Sequence, residues 1–253
     1  MANFFYQVAI NFKRIVFRNL RFFLFNLALP IGFYLLFTKV MTSGMPQEML
    51  TTWNADYLVS MVLYSSLLSS ILTVSSTLLN DQEDSFDLFI ELSPIPRWRY
   101  YASMMLVFWS LNILGVVALG IVGILVNQVA LSLTTWLILL IAVPLTAIPL
   151  IFLGIMISLM GTSNVVNLLS NLIVFPMAIA SGLWWPLSIM PDWLKTIGEK
   201  LPTYFSSQLI SGFIHQEPFV WSNLWGLLVW SVIGLAGIGV TLYYRKAKEL
   251  QTI

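Results

Sequence analysis

Across 253 residues only 9% of the side chains are charged and 58% are apolar, with a mean hydropathy of +0.87. A water-soluble fold cannot be built from this composition, because its outer surface needs charge. The chain has no cysteine and one histidine, His215, which excludes disulfide frameworks, thiol catalysis, iron–sulfur clusters and most zinc chemistry.

The charges also avoid most of the chain. From Tyr100 to Pro191 there is no Asp, Glu, Lys, Arg or His in 92 residues, and the same holds from Tyr57 to Asn80 and from Pro218 to Tyr244. Charges confined to short patches between apolar blocks mark a chain solvated by lipid. The expected class is an all-α membrane protein forming a single transmembrane domain over residues 1–253, with the bilayer as a partner and no nucleic acid.

Residues Phe4 to Arg21 come first. Phe5, Val8, Phe12 and Ile15 recur at helical spacing, while Lys13, Arg14, Arg18 and Arg21 cluster elsewhere. This predicts an amphipathic helix within residues 1–21, lying in the cytoplasmic leaflet. A spanning helix needs about 20 mostly apolar residues. Six blocks qualify: Phe22–Met41, Tyr57–Leu79, Met104–Val126, Trp136–Leu159, Val165–Trp185 and Leu224–Tyr244. The first is long enough to span and lacks a small-residue cleavage site, so it reads as a retained helix rather than a signal peptide. Pro144, Pro149 and Pro176 predict kinks in the fourth and fifth.

Basic residues set the orientation. Lys13, Arg14, Arg18 and Arg21 precede the first span, Arg97 and Arg99 follow the second, and Arg245, Lys246 and Lys248 follow the sixth. With six spans these patches share one side and hold nine of the twelve basic residues. That side is the cytoplasm, so both termini are expected there. Trp53, Trp136, Trp184, Trp185, Trp193, Trp221 and Trp225 fall near the opposite interface as an aromatic belt.

Residues 80–101 form the one substantial cytoplasmic loop. Asp81, Glu83, Asp84, Asp87 and Glu91 make it acidic, Phe86, Phe89 and Ile90 recur at i, i+3, i+4, and Pro94 and Pro96 stop the helix. Aromatic side chains on an acidic cytoplasmic helix predict a docking knob, because anionic headgroups would repel a helix resting on lipid. On the outer side, residues 186–217 form the largest extramembrane segment. Asp192 opens a short helix whose Trp193, Leu194 and Ile197 make an apolar face against Lys195, Glu199 and Lys200.

Two groups of residues carry a resemblance. Glu83, then Leu92-Ser93-Pro94 with Arg97-Trp98, and Ser181-Gly182-Leu183-Trp184-Trp185-Pro186-Leu187 followed by Met190-Pro191-Asp192-Trp193-Leu194 and Leu201-Pro202-Thr203-Tyr204 resemble ABC transporter permeases of the type-2 exporter class. Ser85-Phe86 stands where that family has a Gly-Thr pair. The resemblance covers the whole chain. It implies six spans, short re-entrant outer helices between the fifth and sixth, and a coupling loop onto a cytoplasmic ATPase at Glu83, Phe86, Phe89, Ile90, Glu91 and Pro94. It further implies two ATPase subunits, a second copy of this chain or a paralogue, and ATP with Mg bound in the partner and not here. A bacterial plasma membrane and export of drugs, antimicrobial peptides, lipids or lipid-linked glycans follow from the same resemblance, and the uncharged spans favour an apolar or amphipathic substrate among these.

The residues themselves agree with an external energy source. No phosphate-cradling G-x-x-x-x-G-K-[ST] run occurs, nor H-E-x-x-H or G-x-S-x-G. No block has an acid or base away from its ends, which disfavours proton relays and a membrane-embedded enzyme. An ATP-independent carrier or channel stays open as the alternative. Ser66, Ser70, Thr73 and Thr77 in the second span, and Asn164, Asn167 and Asn171 in the fifth, form polar stripes that either glue helices or meet substrate. Trp184, Trp185 and Pro186 are candidates for an outer gate. His215 and Glu217 read as a solvated loop, because two ligands do not close a metal shell.

Overall fold

The computed structural model describes all residues except 1, 19, 43, 45, 87–91, 93–95 and 252–253. Among the described residues the chain is helical, with no strand. Helix α1 is Ala2–Arg18 and α2 is Leu20–Leu35, which continues as a π turn over Leu36–Val40. Helix α3, Gln47–Leu68, passes through a π turn at Ser69–Thr73 into α4, Val74–Glu83. Then come α5 (Arg97–Asn127), α6 (Leu133–Thr146), α7 (Ile148–Ser158) and α8 (Ser163–Ala180). A 3-10 turn at Leu187–Ile189, α9 (Asp192–Gly198), α10 (Pro202–Ile214) and α11 (Trp221–Gln251) complete it.

Five stretches are long and apolar enough to cross a membrane: Gln47–Glu83, Trp98–Asn127, Leu133–Ser158, Ser163–Ala180 and Trp221–Arg245. The apolar stretch Asn26–Val40, inside the expected first span, is shorter. Within an 18-residue apolar window, 83% of the first stretch is buried and 11% of the last. The α3–α4 rod is therefore the hub around which the others pack, and α11 is a peripheral helix.

Local chemistry explains the boundaries. Ser132 caps α6 by accepting the Thr135 N–H at 3.1 Å, and Pro202 opens α10, where its missing N–H is not needed. The expected kink in the fourth block is a break. The helix ends at Thr146, Ala147 forms the joint, and Pro149 sits in the first turn of α7. The fifth block stops at Ala180, five residues short of Trp185, because Gly182 adopts a φ of +83°. The second block instead runs four residues further, to Glu83.

Close packing fixes the interior. A Cβ on Gly154 of α7 would come within 2.4 Å of the Ser70 carbonyl, inside the π turn of the hub. Helix α10 packs against α3, α6 and α11, with Thr203, Ser206, Leu209 and Ile210 buried. The Ser206 hydroxyl donates to the Thr146 carbonyl at 3.3 Å. Gly226, Gly234 and Gly237 of α11 are filled by Phe205, Phe152 and Met156 of the same chain.

Candidate functional site

The α4 end of the hub gathers four other helices onto one turn. Val8, Phe12, Ile15 and Val16 turn the apolar stripe of α1 onto Tyr100, Met104 and Phe108 of α5, while Phe5 stays exposed. That rotation brings two polar residues inward as well. Asn11 donates to Ser103 Oγ at 2.8 Å. Arg14 donates to both oxygens of Asp81, at 2.6 and 2.7 Å. Tyr100 donates to Asp81 Oδ2 at 2.6 Å, and the Arg14 guanidinium lies 4.4 Å over the ring of Phe86. Burial pulls the Arg14 guanidinium down, but the hydrogen bonds and charge of Asp81 outweigh it and hold it above its ordinary value.

The neighbours of Asp81 reach two more helices. Gln82 accepts from Arg245 of α11 at 2.9 Å. Glu83 accepts from the Ser163 hydroxyl, at the first residue of α8, at 3.0 and 3.2 Å. Residues 81–86 thus touch α1, α5, α8 and α11, and the helices nearest both chain ends meet at this one end of the bundle. Ser85 sits just beyond, at φ +54°. This is the position where the resembling family carries glycine, and the left-handed backbone is the reason a glycine suits it.

One sequence expectation needs correction here: Arg14, grouped with the basic cluster away from the apolar stripe, is not on the solvated side of α1. Asp81, counted among the acids of the loop, is 1% exposed and paired with Arg14 and Tyr100. A usable signal was present, because Asn11 and Arg14 interrupt the stripe that Phe12 and Ile15 define. Phe86 is half-buried against Tyr100, with ring centroids 5.7 Å apart. Phe89, Ile90, Glu91 and Pro94 lie outside the described residues.

At membrane depth the polar stripe of the hub is split rather than continuous. Ser66 donates to Asn112 of α5, and Asn112 donates onward to Ser70 at 3.5 Å. Thr73 accepts from Asn26 of α2 at 3.1 Å. The extra residue of the π turn rotates Thr73 away from the α5 side, so Ser66, Ser70 and Thr73 serve as ties between helices. Asn167 and Asn171 behave differently. Both are exposed and line a cleft of about 130 Å³ together with Asn26 and Leu29 of α2, Leu68 and Leu72 of the hub, and Phe175. Among the described residues no charged side chain lines it.

Above the cleft the same three walls carry rings. Phe33 and Phe175 pack on Trp184 with centroids 4.8 and 6.0 Å away, and Tyr64 meets it edge-on at 5.4 Å. The Tyr57 hydroxyl donates to the Trp184 carbonyl, pinning the turn after α8 to the hub. Trp185 is 40% exposed and touches Phe37. Pro186 begins the extended stretch into the 3-10 turn. Further out, His215 Nε2 lies 2.7 Å from Asp56 Oδ1, and no group of metal-ligating side chains occurs among the described residues.

Residues 3–208 match the model of the ABC-2 type transporter family. The chain belongs to that family. It is also 28% identical over 243 residues to YvfS of Bacillus subtilis (strain 168), a protein named as a transport permease, with 96% of this chain and 97% of that one covered. The permease family accounts for the long apolar helices.

Proposed function

We propose that this permease is the membrane subunit of an ATP-driven exporter in a bacterial plasma membrane. It acts with two cytoplasmic ATPase subunits and a second copy of itself or a paralogue. The observation that carries this reading is the junction at residues 81–86. A partner pushing on the following loop would move α1, α5, α8 and α11 together, because each is tied to that turn by a side chain. Phe86, Phe89, Ile90, Glu91 and Pro94 form the docking surface, and Glu83 links it to α8. Six spans, with α2 as the first, put both termini and the three basic patches in the cytoplasm. Helices α9 and α10 form the re-entrant outer segment, and Trp184 with Trp185 closes the exit.

The exposed Asn167 and Asn171 support a pathway along α8. Carboxamides at membrane depth need protein or water rather than hydrocarbon around them. A second subunit facing α2 and α8 would supply both, with the cleft becoming part of the pathway wall.

Purification of the tagged chain from its host membrane tests the reading. An ATP-hydrolysing subunit should accompany it, in equal number where the chain pairs with itself and at two per chain where it pairs with a paralogue. Phe89→Ala should release that subunit or separate hydrolysis from transport, with the membrane fold intact. Normal export and normal co-purification of Phe89→Ala would show that the loop is not the docking surface. An engineered cysteine at Asn3 or Thr252 should resist impermeant reagents in intact cells.

A further inference from the structure

Taking the cleft as the transport pathway, as proposed above, we infer that its substrate is an uncharged amphiphile whose polar part is rich in carbonyl, ether or hydroxyl oxygens. Two donors point to this. The Tyr64 hydroxyl and the Trp184 indole N–H are both buried and have no hydrogen-bond partner, although their rings are in contact at 5.4 Å. Buried donors are almost always paired, and leaving one unpaired is costly. Trp184 packs on Phe175, which lines the cleft, so two unpaired donors in the cluster that borders it ask for an acceptor when that cluster opens.

Charge decides which acceptor. The aromatic faces of Phe33 and Phe175 would attract a cation, but the positive ends of the two donors oppose one at this point. An anion finds no counter-charge among the described residues, because none of those lining the cleft is Lys, Arg or His and the runs Tyr57–Asn80 and Tyr100–Pro191, which supply two of its walls, contain none. A neutral oxygen meets both conditions. The rings also suit a C–H-rich face, as on a sugar or a polyether. Below them the carboxamides of Asn167 and Asn171 both donate and accept. Leu29, Leu68 and Leu72 offer an apolar wall for a hydrocarbon tail.

The full-length protein in nanodiscs can be titrated with three fluorescent probes that share one acyl chain and differ in the head: glucosyl, trimethylammonium and phosphate. The glucosyl probe should bind most tightly. Tyr64→Phe and Trp184→Phe remove a donor each and keep an aromatic ring. Each should weaken the glucosyl probe about three- to tenfold, the range for one hydrogen bond to a neutral partner, without lowering the unfolding temperature enough to empty the folded state. If Trp184→Phe does not fold, Tyr64→Phe alone decides. Tighter binding of the cationic or the phosphate probe overturns the assignment. So does unchanged glucosyl affinity in the folded variants, which would make the cluster a structural plug.

A transport assay with the ATPase separates this from the pathway reading. If Asn171→Leu stops transport while the head-group order is reversed, the substrate class is wrong and the pathway stands. If the glucosyl probe depends on Tyr64 while Asn171→Leu transports normally, the site stands and the pathway is elsewhere.

Discussion

Arg14 and Asp81, 67 residues apart in the chain, meet through two parallel hydrogen bonds of 2.6 and 2.7 Å. A bidentate pair of this kind fixes direction as well as distance. It locks the first helix onto the root of the loop that follows α4. Asp81→Ala would strand a largely buried guanidinium, and removing one partner of a buried pair costs about 3–5 kcal/mol. Unfolding of the variant in detergent should show a loss of that size. The double variant Arg14→Met with Asp81→Met should recover most of it, because the cost comes from the unpaired charge. A double variant as unstable as Asp81→Ala would mean that the pair itself, and not its charge balance, holds α1.

Ser85 should be improvable. Its φ of +54° costs a non-glycine residue about 1–2 kcal/mol. Ser85→Gly removes that cost and gives back part of it as chain entropy. A net gain of about 0.5–1 kcal/mol is expected, read as slower hydrogen exchange over residues 81–86.

Two helical glycines should respond in opposite ways to alanine. A Cβ on Gly198 would lie 1.9 Å from the Ala180 carbonyl oxygen, so Gly198→Ala must push α9 off the end of α8, at about 1–3 kcal/mol. A Cβ on Gly212 of α10 meets nothing within 4 Å. Gly212→Ala should therefore be neutral or stabilise by up to about 1 kcal/mol. Thermal unfolding of the two variants side by side checks the packing of the outer segment.

Subunit pairing should involve α8. Val165, Leu168, Leu172 and Phe175 are exposed beside Asn167 and Asn171, while the inward glycines of α11 are already filled by Phe205, Phe152 and Met156. A cysteine at Asn171 should crosslink between two copies in membranes. Crosslinks found only from cysteines along α11 would reverse the arrangement.

Much of this protein was settled by the sequence alone. Charge-free runs of this length leave lipid as the only workable solvent, so membrane class and most helix positions follow from local composition. The family was legible because Ser181–Leu187 and Met190–Leu194 carry their pattern in consecutive residues. The tertiary structure decided which polar residues are spent and which are left over. Asp81 and Glu83 look alike in sequence and lie two residues apart, yet one is sealed under Arg14 and Tyr100 while the other faces α8. Ser66, Ser70 and Thr73 share a face in a regular helix, but only Ser66 and Ser70 meet Asn112, and Thr73 beyond the π turn meets Asn26 instead. Nothing local distinguishes Asn112, consumed by the hub, from Asn171, exposed in the cleft. Whether a buried polar atom is satisfied depends on partners tens of residues away, and only packing brings those together.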